Sequence, residues 1–124
     1  TPSAKAVPKI RKSSGLKTLA FDIGGSGLKA TVLDKRGEML TERVRVETPQ
    51  PCPPGVLLEK LKELLAQLPA FDRVSVGFPG VVRHGKTLSC KNLGSDEWDH
   101  FDLQKAIAKV TGKPTLVIND ADMQ

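Results

Sequence analysis

The feature that most constrains the fold is a glycine-rich turn between two apolar segments near the beginning of the chain. Residues 19–23 are apolar except for Asp22, which is typical of a strand buried on both faces. Residues 24–27 contain three glycines and a serine, and apolar and polar side chains then alternate through residues 28–32. The pattern predicts two strands joined by a tight turn.

Two amphipathic segments indicate helices. In the first, leucines recur at positions 57, 61, 64 and 68, with leucines 58 and 65 widening the stripe, and Pro69 stops the pattern. We interpret this stripe as part of the core and not as a groove for a partner. The second helix is predicted between Asp102, a candidate N-cap, and Gly112, a candidate C-terminal glycine.

Further strands are predicted at residues 44–46, residues 74–76, a short pair around residues 81–82 and 87–88, and residues 115–118. The resulting order is β-β-β-α-β-(β-β)-α-β, an α/β chain in which three antiparallel strands come first. A doubly wound sheet would alternate strand and helix from the start, so the expected sheet has mixed strand directions.

The basic character of the chain is confined to its first 17 residues. The net charge is +5, and these residues carry five basic side chains and no acidic one, while the other 14 basic residues balance 14 acidic ones. A basic domain surface, the usual footprint of a specific nucleic-acid binder, is therefore not expected. We expect residues 1–15 to be a disordered basic tail and residues 16–124 to form one domain. Contact of the tail with a polyanion stays open.

Several protein classes fit the sequence poorly. No segment approaches the roughly 18 apolar residues of a membrane helix, and no secretory signal is visible. Cys52 and Cys90 are too few for a disulfide framework or a zinc site, so we expect reduced thiols in a cytoplasmic protein. His84 and His100 lack clustered partners and are expected on the surface.

The glycine turn is the first segment that can carry chemistry. Consecutive N–H groups of Gly24, Gly25 and Ser26 can cradle phosphate oxygens, and Asp22 just before them can hold Mg²⁺. The spacing fits neither a Walker A loop nor the dinucleotide fingerprint. A glycine hairpin without a ligand is the alternative.

Two further turns follow predicted strands. Gly77 to Gly80 form a rigid turn after the fourth strand, and Asn119 and Asp120 follow the last one. Ligands of α/β sheets gather at carboxyl ends of strands, where a carboxylate can act as general base and an amide can orient a substrate. An N-cap of a following helix is the alternative for Asp120. A phosphate cradle, a carboxylate that can hold Mg²⁺ and a general base are together the components of a phosphoryl-transfer site.

Four segments in the same order resemble the ROK family of bacterial sugar kinases and repressors. They are residues 19–29 (first phosphate motif), residues 76–80 (glycine-proline turn), residues 91–93 with Trp98 and Leu103, and residues 117–122 (segment of the catalytic base). The resemblance implies a ribonuclease H-like lobe of the actin-like ATPase superfold, with a mixed sheet flanked by helices.

The resemblance also implies roles for individual residues. Asp120 would be the catalytic base toward the sugar hydroxyl. The other implied roles are sugar binding by Asn119, Gly80 and Asn92, phosphate binding by Gly24, Gly25 and Ser26, and a position near Mg²⁺ for Asp22.

Gly27 and Asp122 make the chain most similar to the polyphosphate-dependent glucokinases of the family. The implied reaction transfers a phosphoryl group from polyphosphate or ATP to glucose or a related hexose, in a cytoplasmic homodimer. The family's later sugar, zinc and second phosphate motifs do not occur in these 124 residues. We therefore expect a lobe truncated after the catalytic motif and inactive alone.

A sugar-sensing transcriptional regulator of the same family is the alternative function. Such regulators carry a helix-turn-helix domain before the first phosphate motif, and about fifteen residues precede the motif here. We expect these residues to be too few for that domain.

Overall fold

The computed structural model describes residues 15–89 and 93–119. Ten elements follow one another: β1 (Thr18–Ile23), β2 (Gly27–Leu33), β3 (Val44–Glu47), α1 (Pro54–Leu65), β4 (Arg73–Phe78), β5 (Val81–Arg83), β6 (Lys86–Ser89), β7 (Phe101–Asp102), α2 (Leu103–Thr111) and β8 (Thr115–Asn119). The 3-10 turn Asp96–Trp98 lies between β6 and β7. The basic tail up to residue 14, Cys90, Asn92, Asp120 and Asp122 lie outside the described residues.

The main sheet has five strands in the order β3-β2-β1-β4-β8. Strands β1, β2 and β3 form an antiparallel meander. Strand β4 pairs in parallel with β1 and with β8. The predicted mixed sheet is therefore confirmed, and the carboxyl ends of β1, β4 and β8 share one edge.

The core lies between one face of this sheet and the two helices. Side chains of a strand alternate between the faces, and the register places Phe21 of β1 beside Val76 of β4, which lies beside Val117 of β8. All three are buried, and Leu61 of α1 and Ile107 of α2 belong to the same cluster. The leucine stripe is thus confirmed as core.

Helix α1 ends earlier than its leucine stripe. The last residue of the helix is Leu65, whereas the stripe continues to Leu68. The N–H of Leu68 donates to the carbonyl of Leu65 over 3.1 Å, a three-residue spacing that tightens the chain out of the α-helix. Pro69 disfavours helical geometry at the residue before it, so Leu68 packs on the core from a turn.

Helix α2 has both predicted ends. Oδ1 of Asp102 accepts the N–H of Lys105 over 3.0 Å, which satisfies one of the unpaired N–H groups of the first turn. Gly112 ends the helix with a φ of 71°, and its N–H donates to Ala108 over 2.8 Å. That left-handed conformation favours glycine.

A second sheet, β5-β6-β7, contains a strand that the sequence did not predict. Strand β7 has only two residues, which pair with Lys86 and Thr87 of β6. Two residues are too few to show alternation, so the pairing has no sequence signal.

The surface positions expected of the two histidines are confirmed, and one of the two cysteines is described. His84 and His100 are exposed. Cys52 is a free, fully buried thiol, and burial raises its pKa because the thiolate would lose its hydration. Within residues 15–89 and 93–119, neither helix is long and apolar enough to cross a membrane.

Candidate functional site

Three strand ends meet at one edge of the main sheet. Asp22 of β1 lies beside Gly77 of β4, and Gly77 lies beside Ile118 of β8. Parallel neighbours are about 4.8 Å apart, so the ends of β1 and β8 are separated by about two such spacings. The turns that follow these strands therefore open onto one region.

The turn after β1 is a tight hairpin. The N–H of Gly24 donates to the carbonyl of Gly27 over 3.0 Å, which closes a loop of Gly25 and Ser26. A Cβ atom at Gly24 would lie 3.0 Å from that same carbonyl oxygen. Neither Gly24 nor Gly27 has a left-handed φ. Close approach of the backbone, and not an unusual backbone conformation, is what requires glycine at position 24.

The carbonyl oxygens of this turn are held by β3 and the residues that follow it. Arg45 Nη2 donates to Ser26 over 3.1 Å, Thr48 Oγ1 donates to Gly24 over 2.7 Å, and Gln50 Nε2 donates to Gly25 over 3.0 Å. Sequence reasoning missed all three donors. They lie 19 to 25 residues from the carbonyls they bind, and no spacing rule connects them.

The N–H groups of the turn remain available to a ligand. Within the described part of the chain, no acceptor is found for the N–H of Gly25 or of Ser26, and the Ser26 side chain is exposed. Backbone N–H groups that converge in a turn bind anions such as phosphate. The local geometry therefore suits the predicted phosphate cradle at Gly25 and Ser26, whereas the N–H of Gly24 is already bonded to the carbonyl of Gly27.

Asp22 lies on the sheet face opposite the helices, half-buried, with Oδ1 withdrawn from solvent. The described residues contain no group of three or more possible metal ligands, so a cation here would rely on few protein ligands. Mg²⁺ is commonly held by one or two carboxylates together with substrate phosphates and water. A single carboxylate beside the glycine turn fits that mode.

A direct hydrogen bond joins two of the predicted sugar contacts. Asn119 Nδ2 donates to the carbonyl of Gly80 over 2.6 Å, which fixes the end of β8 to the turn after β4. Asp120 follows Asn119 in the sequence but lies outside the described residues, as does Asn92. The structure thus brings together Gly80 and Asn119, whereas the positions of Asp120 and Asn92 stay predictions.

The strand order and the glycine turn after β1 are those of a lobe of the actin-like ATPase superfold. The chain belongs to the ROK family, whose model matches residues 18–124. The predicted fold class is therefore confirmed.

The relatives of this chain include sugar kinases. The chain is 37% identical over 109 residues to the N-acetylmannosamine kinase of Salmonella newport (strain SL254), which covers 86% of this chain and 36% of the relative. The chain therefore spans about a third of the length of the curated relatives it matches.

The solved structures that share the fold include two sugar kinases. The crystal structure of inorganic polyphosphate/ATP-glucomannokinase from Arthrobacter sp. strain KM is 36% identical, with a TM-score of 0.77 over 87% of this chain and 46% of that chain. A ROK family glucokinase from Streptomyces griseus, in complex with glucose and AMPPNP, is 28% identical, with a TM-score of 0.72 over 85% of this chain and 33% of that chain.

Proposed function

We propose that this chain forms one side of the active site of a hexose kinase that uses polyphosphate or ATP. The observation that carries the proposal is the shared edge of β1, β4 and β8. There a turn with N–H groups available for phosphate lies near Gly80 and Asn119, which are bonded to each other.

In this proposal the glycine turn after β1 binds the phosphoryl donor, polyphosphate or ATP. The N–H groups of Gly25 and Ser26 and the exposed Ser26 hydroxyl donate to phosphate oxygens, while the turn's carbonyls are already occupied by protein donors. Asp22 holds Mg²⁺, mostly through water. When bound, Mg²⁺ neutralises negative charge on the transferring phosphoryl group.

Asp120 acts on the sugar. Its carboxylate takes the proton of the 6-hydroxyl as that oxygen forms a bond to the terminal phosphorus of the donor. The bond from that phosphorus to its bridging oxygen breaks, and the shortened donor keeps the electron pair. Asn119, Gly80 and Asn92 orient the sugar for this in-line attack.

Glucose is the first sugar to test, with mannose and N-acetylmannosamine beside it. The similar proteins support these three sugars, since they are a glucomannokinase, a glucokinase and an N-acetylmannosamine kinase. A cytoplasmic location and a homodimer belong to the same proposal.

The test is phosphorylation of each sugar by the complete protein, with ATP and polyphosphate offered separately. We expect turnover with at least one pair, and a fall in kcat of about 10²–10⁴ in Asp120→Asn with little change in the sugar KM, since a general base contributes about that much. The 124 residues alone are expected to show no turnover.

Asp99→Asn is the matched control, because it makes the same carboxylate-to-amide change at an exposed residue whose contact is His100. It should keep wild-type activity. A complete protein that binds sugar but turns over with neither donor would contradict the kinase proposal and favour the sugar-sensing regulator.

A further inference from the structure

The guanidinium of Arg45 lies directly on the glycine turn. Its Nη2 donates to the carbonyl of Ser26, and a Cβ atom at Gly27 would lie 2.6 Å from both Nε and Nη2 and 2.8 Å from Cζ. The guanidinium therefore occupies the space that a side chain at position 27 would take. The positive charge beside Gly27 therefore comes from strand β3 and not from the turn itself.

Arg45 forms no ion pair with any residue that the structure describes. Within residues 15–89 and 93–119, no carboxylate lies within ion-pair distance of the guanidinium, and the side chain is exposed. A guanidinium has five N–H donors, and the bond to Ser26 uses one. The other donors remain for an anion at the turn.

A second cation stands beside the first. Lys29 of β2 is the direct cross-strand neighbour of Arg45, and on its other side Lys29 neighbours Asp22 of β1. Like charges directly opposite each other destabilise a sheet. Asp22 borders Lys29 but not Arg45, so the charge of Arg45, next to N–H groups available for phosphate, is left for an anionic ligand to offset.

Lys29 and Arg45 form a cationic row that runs from β2 to the edge strand β3. This row favours one class of phosphoryl donor. Lys29 and Arg45 are about 4.8 Å apart in the sheet, so each can meet a different phosphate of an extended chain. On the same face, β2 and β3 carry Thr31 and Glu47 but no aromatic side chain on which a nucleobase would stack. Further phosphates find hydrogen-bond donors here, and β2 and β3 offer a nucleobase no aromatic side chain for stacking.

We propose that Arg45, supported by Lys29, binds the phosphate chain of a linear polyphosphate beyond its terminal phosphoryl group and makes polyphosphate the preferred donor. This inference rests on the proposed function, in which the glycine turn binds the phosphoryl donor of a kinase. Its own prediction concerns binding and can be measured without sugar.

The experiment is calorimetric titration of the complete protein with a linear polyphosphate and, separately, with ATP. Arg45→Gln should raise the Kd for polyphosphate about 10-fold, the loss expected for one charge-assisted hydrogen bond, and the Kd for ATP less than 3-fold. Arg43→Gln is the matched control, because it removes the same charge from an exposed arginine just before β3, and it should change neither Kd more than 2-fold.

A second variant tests the geometry without removing a charge. In Gly27→Ala the new methyl group must push the guanidinium off the turn, so polyphosphate binding should weaken in the same direction. Circular dichroism would reveal whether Arg45→Gln folds. If it does not fold, Gly27→Ala still tests whether the guanidinium at the turn binds polyphosphate.

The inference is overturned if the wild-type protein does not bind polyphosphate, if Arg45→Gln binds it unchanged, or if the variant weakens ATP and polyphosphate equally. Failure of the proposed function looks different. In that case sugar is not phosphorylated, whatever the binding titrations show.

Discussion

Trp98 is the only tryptophan of the chain, and it is fully buried between the two sheets. Its ring centroid lies 5.0 Å from that of Phe78 at the end of β4 and 5.7 Å from that of Phe101 in β7. Its indole N–H donates to the carbonyl of Cys52 over 2.8 Å. One side chain therefore connects the main sheet, the small sheet and the segment before α1.

Trp98→Phe should lower the free energy of unfolding by about 1–3 kcal/mol, because the buried carbonyl of Cys52 loses its donor. Urea unfolding followed by far-ultraviolet circular dichroism measures this, since the variant lacks the fluorescent indole. Phe101→Leu is the control. It removes a ring contact worth about 0.5–1.5 kcal/mol and keeps the indole bond. Equal stability of Trp98→Phe and wild type would show that the bond contributes nothing.

At the scale of elements, the two helices differ in how they begin and end. Helix α1 begins at Pro54 without a side-chain cap and ends in a tightened turn. Helix α2 has a side-chain cap from Asp102 and a left-handed glycine at its end. The short helix α2, with nine residues, depends more on its ends than α1, because few internal hydrogen bonds form in so short a helix.

Gly112→Ala should destabilise the protein by about 1–2 kcal/mol, the cost of placing a non-glycine residue in the left-handed region. No atom lies within 4 Å of the added Cβ, so the whole effect comes from the backbone. Thermal unfolding measures it.

Gly55→Ala is the matched control for this prediction. Its added Cβ also meets nothing within 4 Å, but its φ is not left-handed and it lies in α1. It should stabilise the protein by about 0.4–1 kcal/mol. Shifts of the same sign in both variants would contradict the backbone explanation.

At the scale of the whole molecule, the surplus positive charge lies in a different part of the sequence from the strands and helices that the structure describes. Residues after position 17 are balanced in charge, and the surplus belongs to the first 17 residues. Within the balanced part, Lys29 and Arg45 still form a local cationic row because the sheet register places them side by side. Local charge at the site thus does not follow from net charge.

Removing residues 1–14 takes away Lys5, Lys9, Arg11 and Lys12 and lowers the net charge of the chain from +5 to +1. The shortened protein should elute from phosphocellulose at clearly lower salt, because attraction to a polyanion depends on net charge. Its melting temperature serves as the control and should not change. Elution at unchanged salt would mean that cations of the folded lobe dominate binding to the matrix.

The sequence by itself determined the strands and helices that have a repeating pattern, together with the glycine turn and both ends of α2. These features depend on residues a few positions apart, and alternation or helical spacing records them directly. It could not reveal β7, which is too short to show a pattern, or the early end of α1, where Pro69 prevails over the leucine stripe.

Only the tertiary structure decided which segments meet at the site. The contacts of Arg45 with Ser26, of Asn119 with Gly80 and of Trp98 with Cys52 join residues 19, 39 and 46 positions apart. The first exists because β3 is added beside β2, and the second because β8 is added beside β4. Strand order is set by how the whole chain buries its apolar surface, a property of the molecule that no local pattern contains.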